Sequence, residues 1–128
     1  MNKDRVIYKV FPENRVVVAE IHDCGWDAQN VVNTLTDNVS ASLFVAADRF
    51  DERFIMNYCY KATARCHPDD EFDVEVGKKI ALRKLTEIYH RSLYKHVDNY
   101  MKYLFTAAEN VQAYLNRKHY DGTKKAKK

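Results

Sequence analysis

The chain has three glycines and two prolines in 128 residues. So few glycines leave little room for a loop whose backbone cradles a phosphate, and neither a G-x-G-x-x-G nor a P-loop pattern is present. A G-x-S-x-G nucleophile elbow is also missing, so no catalytic serine announces itself. No stretch approaches the roughly 18 consecutive apolar residues that a membrane span needs. The N-terminal "MNKDRVIYKV" lacks the long apolar core and small-residue cleavage site of a signal peptide. The three cysteines, Cys24, Cys59 and Cys66, are an odd number without framework spacing, which points to a reducing cytoplasm. No cofactor motif is found, and no cofactor is expected.

Apolar residues make up 46% of the chain and aromatic residues 12%, led by nine tyrosines. That is enough for one core in a chain of this length. The formal charge is +3, yet Lys124, Lys125, Lys127 and Lys128 alone contribute +4, which leaves −1 for the rest. We therefore expect a single domain over 1–121 and a Lys-rich disordered tail over 122–128. A duplex-binding domain carries a basic face, and the near-neutral body argues against nucleic acid as the partner.

Residues Arg5 to Ile21 read as a β-hairpin, two β-branched segments around the turn residues Pro12, Glu13 and Asn14. With a three-residue turn, Val6, Tyr8 and Val10 on the first strand share a face with Val16 and Val18 on the second. Gly25 breaks the strand, and Asp27 starts a short helix carrying Val31, Val32 and Leu35. Ser42 to Ala47 is expected as a strand and "DRFDE" as a turn. Arg53 to Cys66 alternates as a further strand whose second face turns polar at Lys61, Thr63 and Arg65. From Lys78 to Asp121 there is no glycine or proline, which predicts helix. One apolar stripe is Ile80 or Ala81, Leu85 and Ile88. A second is Val97, Met101, Leu104, Ala108, Val111 and Leu115, at steps of four and three. The gap from Ile88 to Val97 breaks the repeat and predicts two helices, or one long helix with a phase break, near His90 to His96. The fold class is α+β: an N-terminal antiparallel sheet followed by two long C-terminal helices. The seam Val97, Met101, Leu104, Val111 and Leu115 is the expected interface of a homodimer or higher homo-oligomer.

"CHPDDEFDVEVG", Cys66 to Gly77, packs a thiol, an imidazole and five carboxylates into twelve residues. As a metal site it has poor spacing, because adjacent Cys66 and His67 point apart on an extended chain and no second ligand pair closes a tetrahedron. It lacks the glycine hinge of a calcium loop. It reads better as a joint: Pro68 ends the pairing, Asp69 or Asp70 caps the next helix with Asp73 completing a capping box, Phe72 folds back, and Gly77 lets the helix approach the sheet. Beyond the core, the helical region carries an aromatic-basic set that includes Tyr89, His90, Asn99, Tyr103 and Arg117. Rings beside guanidinium and amide groups suit stacking on a base while pairing phosphates, and equally suit a helical interface.

The segment "YKATARCHPDDEFDVEVGKKIALRKL", with its terminal strand, acidic turn and basic-apolar helix, resembles small phage proteins, in particular the first class of anti-Thoeris proteins. That resemblance implies a sponge that sequesters the cyclic ADP-ribose signal of bacterial TIR enzymes, or a cyclic oligonucleotide, without turnover, in the cytoplasm of the host bacterium. It implies a pocket where two protomers meet, built from Arg65, Tyr89 or His90, Asn99 and Arg117; Tyr103 is a further ligand-binding candidate from the aromatic-basic set. Catalytic residues and metal are not expected. The competing classes are a protein-binding inhibitor of a bacterial defence nuclease and a weak nucleic-acid binder using the lysine tail.

Overall fold

The computed structural model describes residues 1–35 and 54–126, with the side chains of the last helix described as far as Lys118. The expected strand over Ser42 to Ala47 and the "DRFDE" turn lie outside the described residues. The elements are β1 (Ile7–Phe11), β2 (Val16–Ile21), α1 (Asp27–Leu35), β3 (Tyr60–Arg65) and α2 (Val74–Ala126), with short 3-10 turns at Lys3–Arg5 and Pro12–Asn14. The three strands form one antiparallel sheet in the order β1-β2-β3. The architecture is α+β. Residues Met1–Val97 form one compact unit and Asp98–Lys128 a second.

The hairpin forms where the β-branched residues predict it, but its register differs by one. Phe11 pairs with Val16, Val10 with Val17 and Tyr8 with Ala19. Arg15 is the reason. It takes up a left-handed backbone (φ 57°, ψ 47°) and joins Pro12–Asn14 in a four-residue connection. A slip of one residue exchanges the faces of a strand. Val17, Ala19 and Ile21 therefore face inward, each fully buried, while Val16, Val18 and Glu20 lie on the outer face.

Regular pairing of the last strand starts at Tyr60, because Ile21, its partner, is the last residue of β2; Arg53, where the strand was expected to begin, lies outside the described residues. Before it, Cys24 N–H donates to Tyr58 O and Met56 N–H to Gly25 O, both at 2.9 Å, so Phe54 and Met56 enter the core from irregular chain. Within β3 the alternation holds: Tyr60, Ala62 and Ala64 are buried, and Lys61 and Arg65 are exposed.

The expected pair of C-terminal helices is one continuous helix, α2. It starts at Val74 because Asp73 Oδ1 accepts from the N–H of Glu75 (3.0 Å) and Val76 (3.2 Å). Asp69 and Asp70 sit instead in a turn closed by Asp70 N–H to His67 O. The phase break that suggested two helices disappears once the buried row is seen to run Ala81, Leu85, Tyr89 and Leu93, with Val97 packed against the core. Tyr89 and Leu93 bridge the gap that Ile88, 37% exposed, does not fill. The helix continues through Asp121 to Ala126, past the point where the tail was expected. Gly77 brings its first turns onto the sheet: a Cβ there would lie 2.7 Å from Val17 Cγ2. Full burial of Leu85 contributes about 2 kcal/mol relative to an exposed side chain.

Candidate functional site

The outer face of the sheet is organised in rows set by strand register. One row is Phe11, Val16 and Arg65; the next is Lys9, Val18 and Thr63; the third is Ile7, Glu20 and Lys61. Phe11, Val16, Val18, Thr63 and Arg65, with Asn14 at the turn, line an open depression of about 400 Å³. Its floor is apolar. Val16 is nearly covered by its flanking side chains, whereas the Phe11 ring remains 44% exposed and Arg65 is exposed. Among the described residues Arg65 makes no ion pair or hydrogen bond. A ring on one wall and an uncommitted guanidinium on the other suit a flat group bearing an anion.

At the far end of the same face stands Glu20, only 3% exposed. Its Oε1 meets Lys9 Nζ at 3.3 Å and Lys61 Nζ at 3.6 Å, and its Oε2 meets His22 Nε2 at 3.0 Å. The His22 hydrogen bond, then the two ammonium groups, hold the Glu20 carboxyl below the ordinary carboxylate range against the opposing effect of burial. One carboxylate thus positions two lysines, whose side chains remain 54% and 62% exposed.

The joint between β3 and α2 forms a second concavity, about 330 Å³, lined by Ala64, Arg65, His67, Phe72, Val76 and Ile80 among others. Arg15 clamps it. Its guanidinium donates to Pro68 O and His67 O at 3.3 Å and approaches Cys66 Sγ at 3.4 Å, while its carbonyl accepts from Cys66 N–H. The acids of the joint act on the backbone, as Asp73 does, or face solvent. Among the described residues no three His, Cys, Asp or Glu side chains gather in a metal-binding arrangement.

Of the residues singled out in the sequence, Arg65 lies at the rim of both concavities. Tyr89 is a core residue: its hydroxyl donates to Asp27 Oδ2 at 2.7 Å, and its ring meets Tyr60 edge-on. Arg5 Nη1 reaches the same carboxylate oxygen at 3.0 Å, and Arg5 Nη2 donates to His22 O and Asp23 O. Burial, reinforced by Asp27, pushes the Tyr89 phenol far up. Burial also pushes the adjacent Cys24 thiol up to about 11, so it is held protonated and inert. His90 lies between the Tyr89 and Tyr94 rings with the Met1 amino group 3.1 Å from Nε2, and burial followed by that charge lowers its pKa.

In the second unit Asn99 and Tyr103 are one helical turn apart and half-buried, with the Tyr103 ring beside Tyr100. Arg117 is exposed and about 27 Å from Asn99 along the helix axis, too far for one small ligand to bridge on a single protomer. Met101, Val111 and Leu115 of the apolar seam are 47%, 59% and 52% exposed, and Phe105, outside the seam's four-and-three spacing, is 62% exposed.

Thr63 lies on the face of β3 that the sequence marks as turning polar and Asn14 in the expected turn, whereas nothing in the sequence pattern marks Phe11. A four-residue hairpin loop would have revealed Phe11, because it places Phe11 opposite Val16 on the outward side. No known protein family, curated protein or solved structure matches this chain.

Proposed function

We propose that this chain is a non-catalytic binding protein that sequesters a signalling nucleotide of the cyclic ADP-ribose type. The row Phe11–Val16–Arg65 carries the reading. It offers a ring to stack on a base, an apolar floor, and a guanidinium with no partner among the described residues to take a phosphate. Nearby Asn14 and Thr63 supply the amide and hydroxyl that ribose hydroxyls need. The nucleotide class, the anti-defence role of a phage protein and its place in the host's cytoplasm are proposed from the resemblance of the Tyr60 to Leu85 segment to the first class of anti-Thoeris proteins. Free signal then falls by mass action as the binding protein accumulates.

The apolar seam on α2 supports self-association into a homodimer or higher homo-oligomer. Between Tyr103 and Asn116 the only charged residue is Glu109. A helical segment so nearly uncharged, with Phe105, Val111 and Leu115 exposed on it and Met101 exposed just before it, is ordinarily covered by another surface. The same observation favours the second reading, a protein-binding inhibitor, if the cover is an unlike chain.

Thermal unfolding with cyclic ADP-ribose and its isomers tests the proposal. At ligand about a hundredfold above Kd the stabilisation is about 2.7 kcal/mol, or on the order of 10 °C in Tm. The nucleotide should be recovered intact after heat denaturation, and Phe11→Ala or Arg65→Ala should abolish the shift. No shift with any isomer overturns the sponge reading, and recovery of a hydrolysed nucleotide overturns the absence of turnover.

A further inference from the structure

The outer sheet face extends beyond what one nucleotide would occupy. Arg65 and Lys61 are four residues apart on β3 and point to the same side. At the rise of a strand they are about 13 Å apart, farther than the two phosphates of one pyrophosphate can reach. Lys9, on β1, stands across the face from Thr63 and shares Glu20 with Lys61. The face therefore has Arg65 in the first row, Lys9 in the middle row and Lys61 in the third, with the Lys9 and Lys61 ammonium groups converging on Glu20 and with Val16 and Val18 on the central strand beside them. Glu20 offsets one of the three positive charges and fixes the two lysines on the face, so a net positive charge remains. Phe11 adds an exposed ring at the Arg65 end.

We infer that this face binds a short single strand of nucleic acid running along the strands, from the Phe11–Arg65 row towards Lys61. One base stacks on Phe11, one phosphate pairs with Arg65, and a phosphate farther along the strand pairs with Lys61 and Lys9. The inference rests on the nucleotide reading for the Phe11–Arg65 end alone; the Lys9–Lys61 pair is what a mononucleotide leaves unused. Single strands are held by stacking on aromatic side chains together with cations that follow the backbone. The reading differs from duplex binding, which needs a broad basic surface that the near-neutral body lacks. The lysine tail takes no part in it.

The test measures fluorescence anisotropy with labelled oligoadenylate five nucleotides long, in competition with unlabelled AMP and cyclic ADP-ribose, on the full chain at low salt. The pentanucleotide is expected to bind at least tenfold more tightly than AMP. With three cations engaged, the slope of log K against log salt should be about −2. The double variant Lys9→Ala/Lys61→Ala should lose the advantage of length and keep mononucleotide binding, with an unchanged far-ultraviolet circular dichroism spectrum showing that it folds. A second comparison deletes Lys124–Lys128, which should leave the affinity within twofold. Equal affinity for AMP and the pentanucleotide overturns the extended site but leaves the sponge reading standing. Loss of binding on tail deletion also overturns it. Binding of the pentanucleotide without binding of any mononucleotide or cyclic ADP-ribose supports the extended site and overturns the sponge. Binding of none of the probes overturns both.

Discussion

Asp27 Oδ2 receives the Tyr89 hydroxyl and the Arg5 guanidinium, and so ties the start of α1 to α2 and to the N-terminal turn. Sequence reading assigned Asp27 to starting a helix and Tyr89 to a ligand. Neither role predicts a bond between residues 62 positions apart. The two substitutions that probe it have different expected costs. Tyr89→Phe keeps the ring and removes one hydrogen bond, leaving Asp27 with Arg5, and should cost about 1 kcal/mol. Asp27→Ala strands the Tyr89 hydroxyl and removes the ion pair of Arg5, whose guanidinium keeps His22 O and Asp23 O, and should cost about 2–3 kcal/mol. Urea unfolding of both variants measures the order. If Tyr89→Phe proves the more damaging, the carboxylate is not the hub of the network. A ligand role for the Tyr89 hydroxyl would appear instead as lost nucleotide binding at unchanged stability.

At the scale of elements, the contact between α2 and β2 depends on Gly77. A methyl group there would meet Val17 at 2.7 and 3.3 Å, and Val17 is fully buried on the central strand with no open side toward which to move. Gly77→Ala should destabilise by about 1–3 kcal/mol through overpacking, less up to about 1 kcal/mol regained from helix propensity. Adding Val17→Ala should recover part of the loss, and a double-mutant cycle of unfolding free energies measures this coupling. Strictly additive effects would place the strain elsewhere. This contact was legible in advance, because a lone glycine opening a helix after a strand has few other uses. The β-hairpin, the short helix and the polar face of β3 were legible for similar reasons of local composition and alternation. The register was not, since it turned on the backbone of Arg15, a residue with no preference for the left-handed region. The single long helix was misread because a tyrosine, Tyr89, fills a core position that an aliphatic count assigns to Ile88. For the candidate site, Arg65 was legible as the polar end of an alternating strand. Phe11 was hidden by the register error, since its importance comes only from what stands opposite it.

For the whole molecule the open question is what covers the second unit's apolar seam. Met101, Leu104, Ala108, Val111 and Leu115 follow a/d spacing, with Phe105 flanking them. Most helical stability comes from packing an apolar face. No charged residue between Tyr103 and Asn116 apart from Glu109 is available to set a pairing register, so the expected association is driven by apolar burial and is weakly dependent on salt. Light scattering at micromolar concentration should give a whole-number multiple of the 15.0 kDa chain mass, unchanged by added salt. Val111→Asp with Leu115→Asp places two carboxylates in the seam on each copy and should return the mass to 15.0 kDa. The Met1–Val97 unit has its own core and should keep its near-ultraviolet signal in that variant. A wild-type chain that is already monomeric would assign the seam to an unlike protein and favour the inhibitor reading. An oligomer that survives the double substitution would place its interface elsewhere. If the oligomer dissociates and nucleotide affinity falls with it, copies share the ligand. If affinity is unchanged, the site on the outer face of the sheet is complete within one chain.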